Sequence, residues 1–121
     1  MIEGKAKTAG LYPDWKAWCD WCLATLESYG ISGTVTSGVR SSSKQAQLYA
    51  DYQAGRSSIP AAPPGRSAHE YGLALDFVVD EGKDSDLQRA VMQWFQAMGG
   101  ELVSGDVVHV QYPGYRAWLG S

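Results

Sequence analysis

The chain has 121 residues, 45% hydrophobic and 19% charged, with a formal net charge of −3. That gives room for a single domain with one core, and it is too apolar for a disordered tail. An acidic balance with no run of Lys or Arg argues against a nucleic-acid partner, and no apolar run approaches the ~20 residues of a membrane span.

The opening Met1-Ile2-Glu3-Gly4-Lys5 lacks the apolar stretch of a secretory signal. The expectation is a chain made for the cytoplasm, or exported by another route. The first predicted element is a helix over 13–29: Pro13 suits a first turn, Asp14 places an acid near the N-terminus, and Gly30 suits the stop. Along it Trp15, Trp18, Cys19, Cys22, Leu23 and Leu26 recur at helical spacing as a core stripe. Cys19 and Cys22 form a C-x-x-C, the spacing of a redox pair or of half a zinc site. No second C-x-x-C exists to complete a tetrathiolate, and both lie in the apolar stripe, so they read as two buried thiols.

Residues 33–40 are β-rich and predict a short strand running out into polar residues. Ser41, Ser42 and Ser43 offer N-caps for a second helix that ends near Gly55, with Gln47, Leu48 and Tyr49 inside it. Residues 56–66 hold three prolines and a glycine, which excludes regular structure. A loop this long is either a connector or a rim over a site. After a further loop at 67–71, residues 72–79 predict a buried strand. Its alternation puts Leu73, Leu75, Phe77 and Val79 on one face and Ala74, Asp76 and Val78 on the other.

An acidic turn at 80–86 leads into a third helix, with Leu87, Val91, Trp94, Phe95 and Met98 on its apolar side and Gly99-Gly100 at its end. Residues 101–103 and 107–111 predict two short strands around a Ser104-Gly105 turn, and residues 112–121 an aromatic tail packed on the body. Strands separated by helices, with hairpin-like spacing at the end, predict an α+β domain. The expected form is a small, mainly antiparallel sheet with about three helices packed against one face.

The chain has two histidines, His69 and His109, both at the ends of predicted strands, while Asp76 stands in the middle of an apolar one. An unpaired carboxylate is costly to bury, so Asp76 must meet a cation, a donor network or a metal. If the strands carrying Asp76 and His109 are antiparallel neighbours, the two side chains face the same way, and His69 can fold back from its loop to join them. Two imidazoles and a carboxylate suit Zn²⁺ with an open fourth position, the pattern of a catalytic site. A His–Asp hydrogen bond inside a core is the alternative, and it leaves the second histidine and Asp106 without a role.

Ser67-x-His69 with Asp76 seven residues on, followed at a distance by Asp106-x-x-His109, resembles the zinc peptidases of peptidoglycan. That group includes D-alanyl-D-alanine carboxypeptidases and dipeptidases, and the L-alanyl-D-glutamate endopeptidases of bacteriophage lysins. Ser37-Gly38-Val39-Arg40-Ser41, with Gln47-Leu48-Tyr49 behind it and Gly72, Ala74 and Phe77 in step, matches the same pattern, so the resemblance spans about 37–111. It implies zinc held by His69, Asp76 and His109, Asp106 as general base where some members carry Glu, Arg40 as the arginine that grips substrate, and Ser67 as the serine beside the first ligand. In an ideal strand Asp106 and His109 would point to opposite faces, so Asp106 is expected in the turn after Gly105, aimed back at the metal. Gln111 shares the face of His109 and is a candidate to support it from behind. Glu70, beside His69, reads as a solvated charge.

The implied function is that of a monomeric zinc metallopeptidase hydrolysing peptidoglycan stem-peptide bonds. The favoured bond is L-alanyl-D-glutamate, with D-alanyl-D-alanine carboxypeptidase action as the alternative. The expected setting is the bacterial cell wall, reached by a phage lysin after release or by a virion protein. A non-enzymatic binding module of the same fold has no need of a base and an anion clamp, so Asp106 and Arg40 speak against it.

Overall fold

The helical spacing of residues 15–26 closes into α1 (Pro13–Ser28), with Trp15, Cys19, Cys22, Leu23 and Leu26 buried along one side. The computed structural model describes residues 1–115. Two further helices follow, α2 (Ser42–Gln53) and α3 (Asp86–Ala97), each started by a serine whose hydroxyl accepts from a main-chain N–H in the first turn.

The strands are β1 (Ile2–Glu3), β2 (Gly33–Ser37), β3 (Ala74–Val79), β4 (Glu101–Leu102) and β5 (His109–Gln111), in the sheet order β1-β2-β3-β5-β4. Pairing is antiparallel except between β1 and β2, so the α+β expectation holds. β1 escapes a sequence reading because two residues cannot show alternation. It is held from the side by Glu27 of α1, which accepts from Ile2 N at 2.9 Å and Lys5 Nζ at 2.7 Å.

One face of the sheet carries the core: Val35, Leu75, Phe77, Val79 and Val110 meet the α1 stripe and Val91, Met92 and Phe95 of α3. α2 departs from the expectation of three helices on that face. It contributes nothing to this cluster, and its one buried residue is polar, Gln45. Its sequence offers Leu48 and two tyrosines as large apolar groups, too few for a core stripe. α3 also departs in detail: it stops at Ala97, so Met98 is a cap residue left 40% exposed, and Gln88 and Met92 lie on the buried side instead.

The predicted strand over 33–40 ends at Ser37, just past a register shift between Val35 and Ser37. The loop at 67–71 contains a 3-10 turn, Ala68–Tyr71, closed by Gly72 at φ 68°. A Cβ at Gly72 would sit 2.9 Å from Tyr12 N, so both the turn and the packing demand glycine there. Of the predicted aromatic tail, Tyr112 packs against the core and Tyr115 is buried beside Ala68, Leu73 and Ala74. The rest of that prediction falls outside the described residues.

Candidate metal centre and active-site cleft

In the β3–β5 ladder Asp76 stands directly opposite His109, as the strand parity required. Both project from the sheet face away from the core, because their neighbours Leu75, Phe77 and Val110 take the other. His69 arrives from the 3-10 turn, whose start is held by a capping box: Ser67 Oγ accepts from His69 N, and Glu70 accepts from Ser67 N. His69 Nε2 and His109 Nδ1 each lie 3.1 Å from Asp76 Oδ1. The ligand atoms of the three residues all fall within 4.8 Å of one another, with both histidines buried.

The hydrogen bonds behind the rings fix what they present. His69 Nδ1 donates to the Gly38 carbonyl at 2.7 Å, so its Nε2 lone pair faces Asp76. His109 Nε2 donates to Gln111 Oε1 at 2.8 Å, so its Nδ1 lone pair does the same. Two imidazole lone pairs and a carboxylate oxygen around one point repel one another unless protons or a cation intervene. Outer partners that hold the far ring nitrogens are the usual support of histidine metal ligands, and this donor set fits a zinc ion.

Where protons rather than a cation fill that point, the facing ring nitrogens donate to Asp76 and the electrostatics follow. Burial alone would raise Asp76, but hydrogen bonds and charge from His109 and His69 outweigh it and hold its carboxyl well below the usual range. Burial alone would lower His109, and the Asp76 carboxylate, helped by Gln111 and Asp106, reverses that and raises it.

The cluster lies in a cleft of about 450 Å³ whose walls include Arg40, Gln45, Ser67 and Asp106, with Ser57 and residues 59–62 among its rim. The 56–66 loop therefore borders the site. Arg40 follows β2, and its main-chain N donates to the His69 carbonyl at 3.0 Å. Its Nη2 stands 3.9 Å from Asp76 Oδ2 and donates to Ser37 Oγ, and its Nη1 donates to Gln45 Oε1 at 2.9 Å. Asp106 lies in the turn after Gly105, which has φ 83°, exposed at the cleft wall and near enough for its charge to act on His109.

Two expectations change. Glu70 is not a solvated charge: it is half-buried and accepts from Ser42 Oγ at 3.0 Å and Gly65 N at 2.9 Å, tying the end of the loop to α2. Ser67 Oγ caps the turn that carries His69 as well as lining the cleft. Cys19 and Cys22 are the two buried thiols expected. Burial pushes Cys22 up to about 12 and Cys19 higher still, so neither is a ready thiolate.

Sequence reasoning missed Gln45 and Glu101. Gln45 is almost fully buried, accepting from Arg40 and donating to the Ala62 carbonyl at 2.8 Å, so it joins the arginine to the loop. No pattern distinguished it from the other polar residues of α2.

This cleft, on this sheet, is that of a peptidoglycan peptidase. The chain matches the family profile of D-alanyl-D-alanine carboxypeptidase, VanY, over residues 16–104, and belongs to that family. The match stops short of β5, so His109 and Gln111 are placed by the fold. No curated protein matches the sequence significantly. Among solved structures, the chain is 26% identical to the LD-carboxypeptidase LdcB, with TM-score 0.68 over 94% of this chain and 71% of that one. An L-Ala D-Glu endopeptidase of Serratia marcescens, ChiX, is 21% identical with TM-score 0.66, over 98% of this chain and 94% of that one. A vancomycin-resistance D,D-pentapeptidase, VanY from a VanB-type cassette, described in complex with Zn(II), is 22% identical with TM-score 0.65, over 88% of this chain and 75% of that one. Among the described residues no helix is long and apolar enough to cross a membrane.

Proposed function

We propose that the chain is a zinc peptidase that cleaves the L-alanyl-D-glutamate bond of peptidoglycan stem peptides, the activity carried by phage lysins. The observation that carries the peptidase reading is the His69–Asp76–His109 cluster at the floor of a cleft that also holds Arg40 and Asp106. His69 through Nε2, Asp76 through a carboxylate oxygen and His109 through Nδ1 would hold the ion. When bound, zinc supplies Lewis acidity that polarises a peptide carbonyl and acidifies water near neutral pH.

The chain's own residues do the rest. Asp106 takes the proton of the attacking water on its carboxylate and returns it to the leaving amine. Arg40, held by Ser37 and Gln45, offers a guanidinium to a substrate carboxylate or to the developing oxyanion. In L-Ala-D-Glu the α-carboxylate of the glutamate is free beside the scissile amide, and it is a suitable partner for that fork. Ser67 contributes a hydroxyl to the same wall.

The shape of the cleft supports an internal bond. Val103 and Asp106 line both the main cleft and a second depression bounded by Arg89, Met92, Gln93 and Val107, which would receive a chain that ran on across those two residues. The family profile and the LD-carboxypeptidase likeness favour the second reading, removal of a terminal D-alanine. Mass spectrometry of digested sacculi tests both. New amino-terminal D-glutamate on stem peptides is the expected result, and loss of only terminal D-alanine would replace the endopeptidase reading with the carboxypeptidase one.

A further inference from the structure

Behind the histidine cluster lies a polar chain that the proposed reaction does not use. Gln111 is 2% exposed. It shares the face of His109 two residues earlier, and the β4–β5 register sets it directly opposite Glu101. A carboxylate can only accept, so Glu101 Oε2 takes the Gln111 Nε2 donor at 2.5 Å. That turns Gln111 Oε1 toward His109 Nε2, 2.8 Å away. The other Glu101 oxygen accepts from Gly114 N at 3.3 Å, which holds the carboxylate in place.

An amide can be rotated half a turn with little change in shape, exchanging donor for acceptor. Only its partners decide which end faces His109. Turned the other way, the amide would offer an N–H to His109 Nε2, and the imidazole proton would sit on Nδ1, on the side that faces Asp76.

We infer that Glu101 is a positioning residue: through Gln111 it locks His109 in the Nε2–H tautomer and keeps Nδ1 bare for the metal. The inference rests on His69, Asp76 and His109 holding zinc. Its cause is a cross-strand pair, Glu101 and Gln111, whose second member lies one residue pair along the strand from a ligand. A charged residue paired with an amide behind a histidine thus sets the ring's proton.

The test uses the full chain, with zinc affinity measured by competition against a chromogenic chelator. Gln111→Leu removes the acceptor and should weaken zinc by about 10- to 100-fold, the scale for outer partners of histidine ligands. Glu101→Leu frees the amide to turn and should also weaken zinc. The exchanged pair Glu101→Gln with Gln111→Glu restores an acceptor to His109 and a donor opposite it. It should recover affinity to within about threefold, a rescue that mere packing would not give. In the zinc-loaded parent, long-range proton–nitrogen NMR should show His109 carrying its proton on Nε2 and ligated through Nδ1. That measurement needs no variant to fold, and the opposite assignment would overturn the proposal. Single variants that bind zinc as tightly as the parent, or an exchanged pair that recovers nothing, would do the same while leaving the zinc reading standing. A parent chain that binds no zinc would instead remove the reading beneath it.

Discussion

Replacing Gln88 with leucine keeps roughly the same volume in the helix but removes three hydrogen bonds at once. Gln88 is fully buried on α3, where its Oε1 accepts from Val79 N at 2.8 Å and its Nε2 donates to the Phe77 and Val107 carbonyls at 2.9 and 3.0 Å. Two of those main-chain groups belong to β3, and the third lies between Asp106 and His109. A buried main-chain group left without a partner costs ~1–3 kcal/mol, so the Val79 N–H and the Phe77 carbonyl together cost ~2 kcal/mol even at the low end, while the Val107 carbonyl is only part-buried and can turn to water. The apolar leucine returns roughly 1 kcal/mol through the burial of its methyl groups. The expected net loss is therefore about 1–5 kcal/mol, a large share of the ~5–15 kcal/mol by which such domains are stable. Urea denaturation of the metal-free protein measures it, as a lowered midpoint at unchanged slope. Releasing the Val107 carbonyl also loosens the turn that presents Asp106, so turnover of the folded variant should fall more than its zinc affinity. A stability loss below ~1 kcal/mol would refute the reasoning, because it would mean that these groups find other partners.

Three further outcomes are expected. His69→Ala, Asp76→Ala and His109→Ala should each strip the metal, and full zinc occupancy by elemental analysis in any two of them would contradict the ligand set. Asp106→Asn should keep zinc and fold yet lose at least ~10²-fold in turnover, so near-parental hydrolysis by the purified variant would remove Asp106 as the base. In the metal-free protein His109 is raised above its ordinary 6.5, so its charged pairing with Asp76 stabilises fully below that pH and fades as pH rises through the raised value. Zinc needs the bare ring, so affinity by chelator competition should climb over the same interval, and an affinity that falls there would contradict the assignment.

Much of the site is legible in the chain itself. Alternation in 72–79 put Asp76 on the polar face of an apolar strand, and the same parity put His109 and Gln111 together. A carboxylate in an apolar strand with two histidines available already demanded a cation, a donor network or a metal, because desolvation leaves few other solutions. The helices were legible where apolar spacing marked them, as in α1 and α3, and where serines offered caps, as at the start of α2. Met98 was misplaced because periodicity continues past the point where the Gly99-Gly100 pair has already ended the helix.

Pairing across long sequence separations is visible only in the folded chain. Periodicity tells which face a residue takes, but register tells what stands opposite it, and register is set by the whole sheet. Thus Asp76 meets His109 and Glu101 meets Gln111 only once β3, β4 and β5 are aligned. Polar residues such as Gln45, Glu70, Gln88 and Glu101 carry no periodic signal, since their roles depend on partners 10 to 28 residues away. Alternation and desolvation act locally, so the chain alone shows which chemistry is present and which face it occupies. The hydrogen bonds that aim each ring and hold Arg40 had to wait for the fold, because they join groups that only packing brings within 3 Å or so of each other.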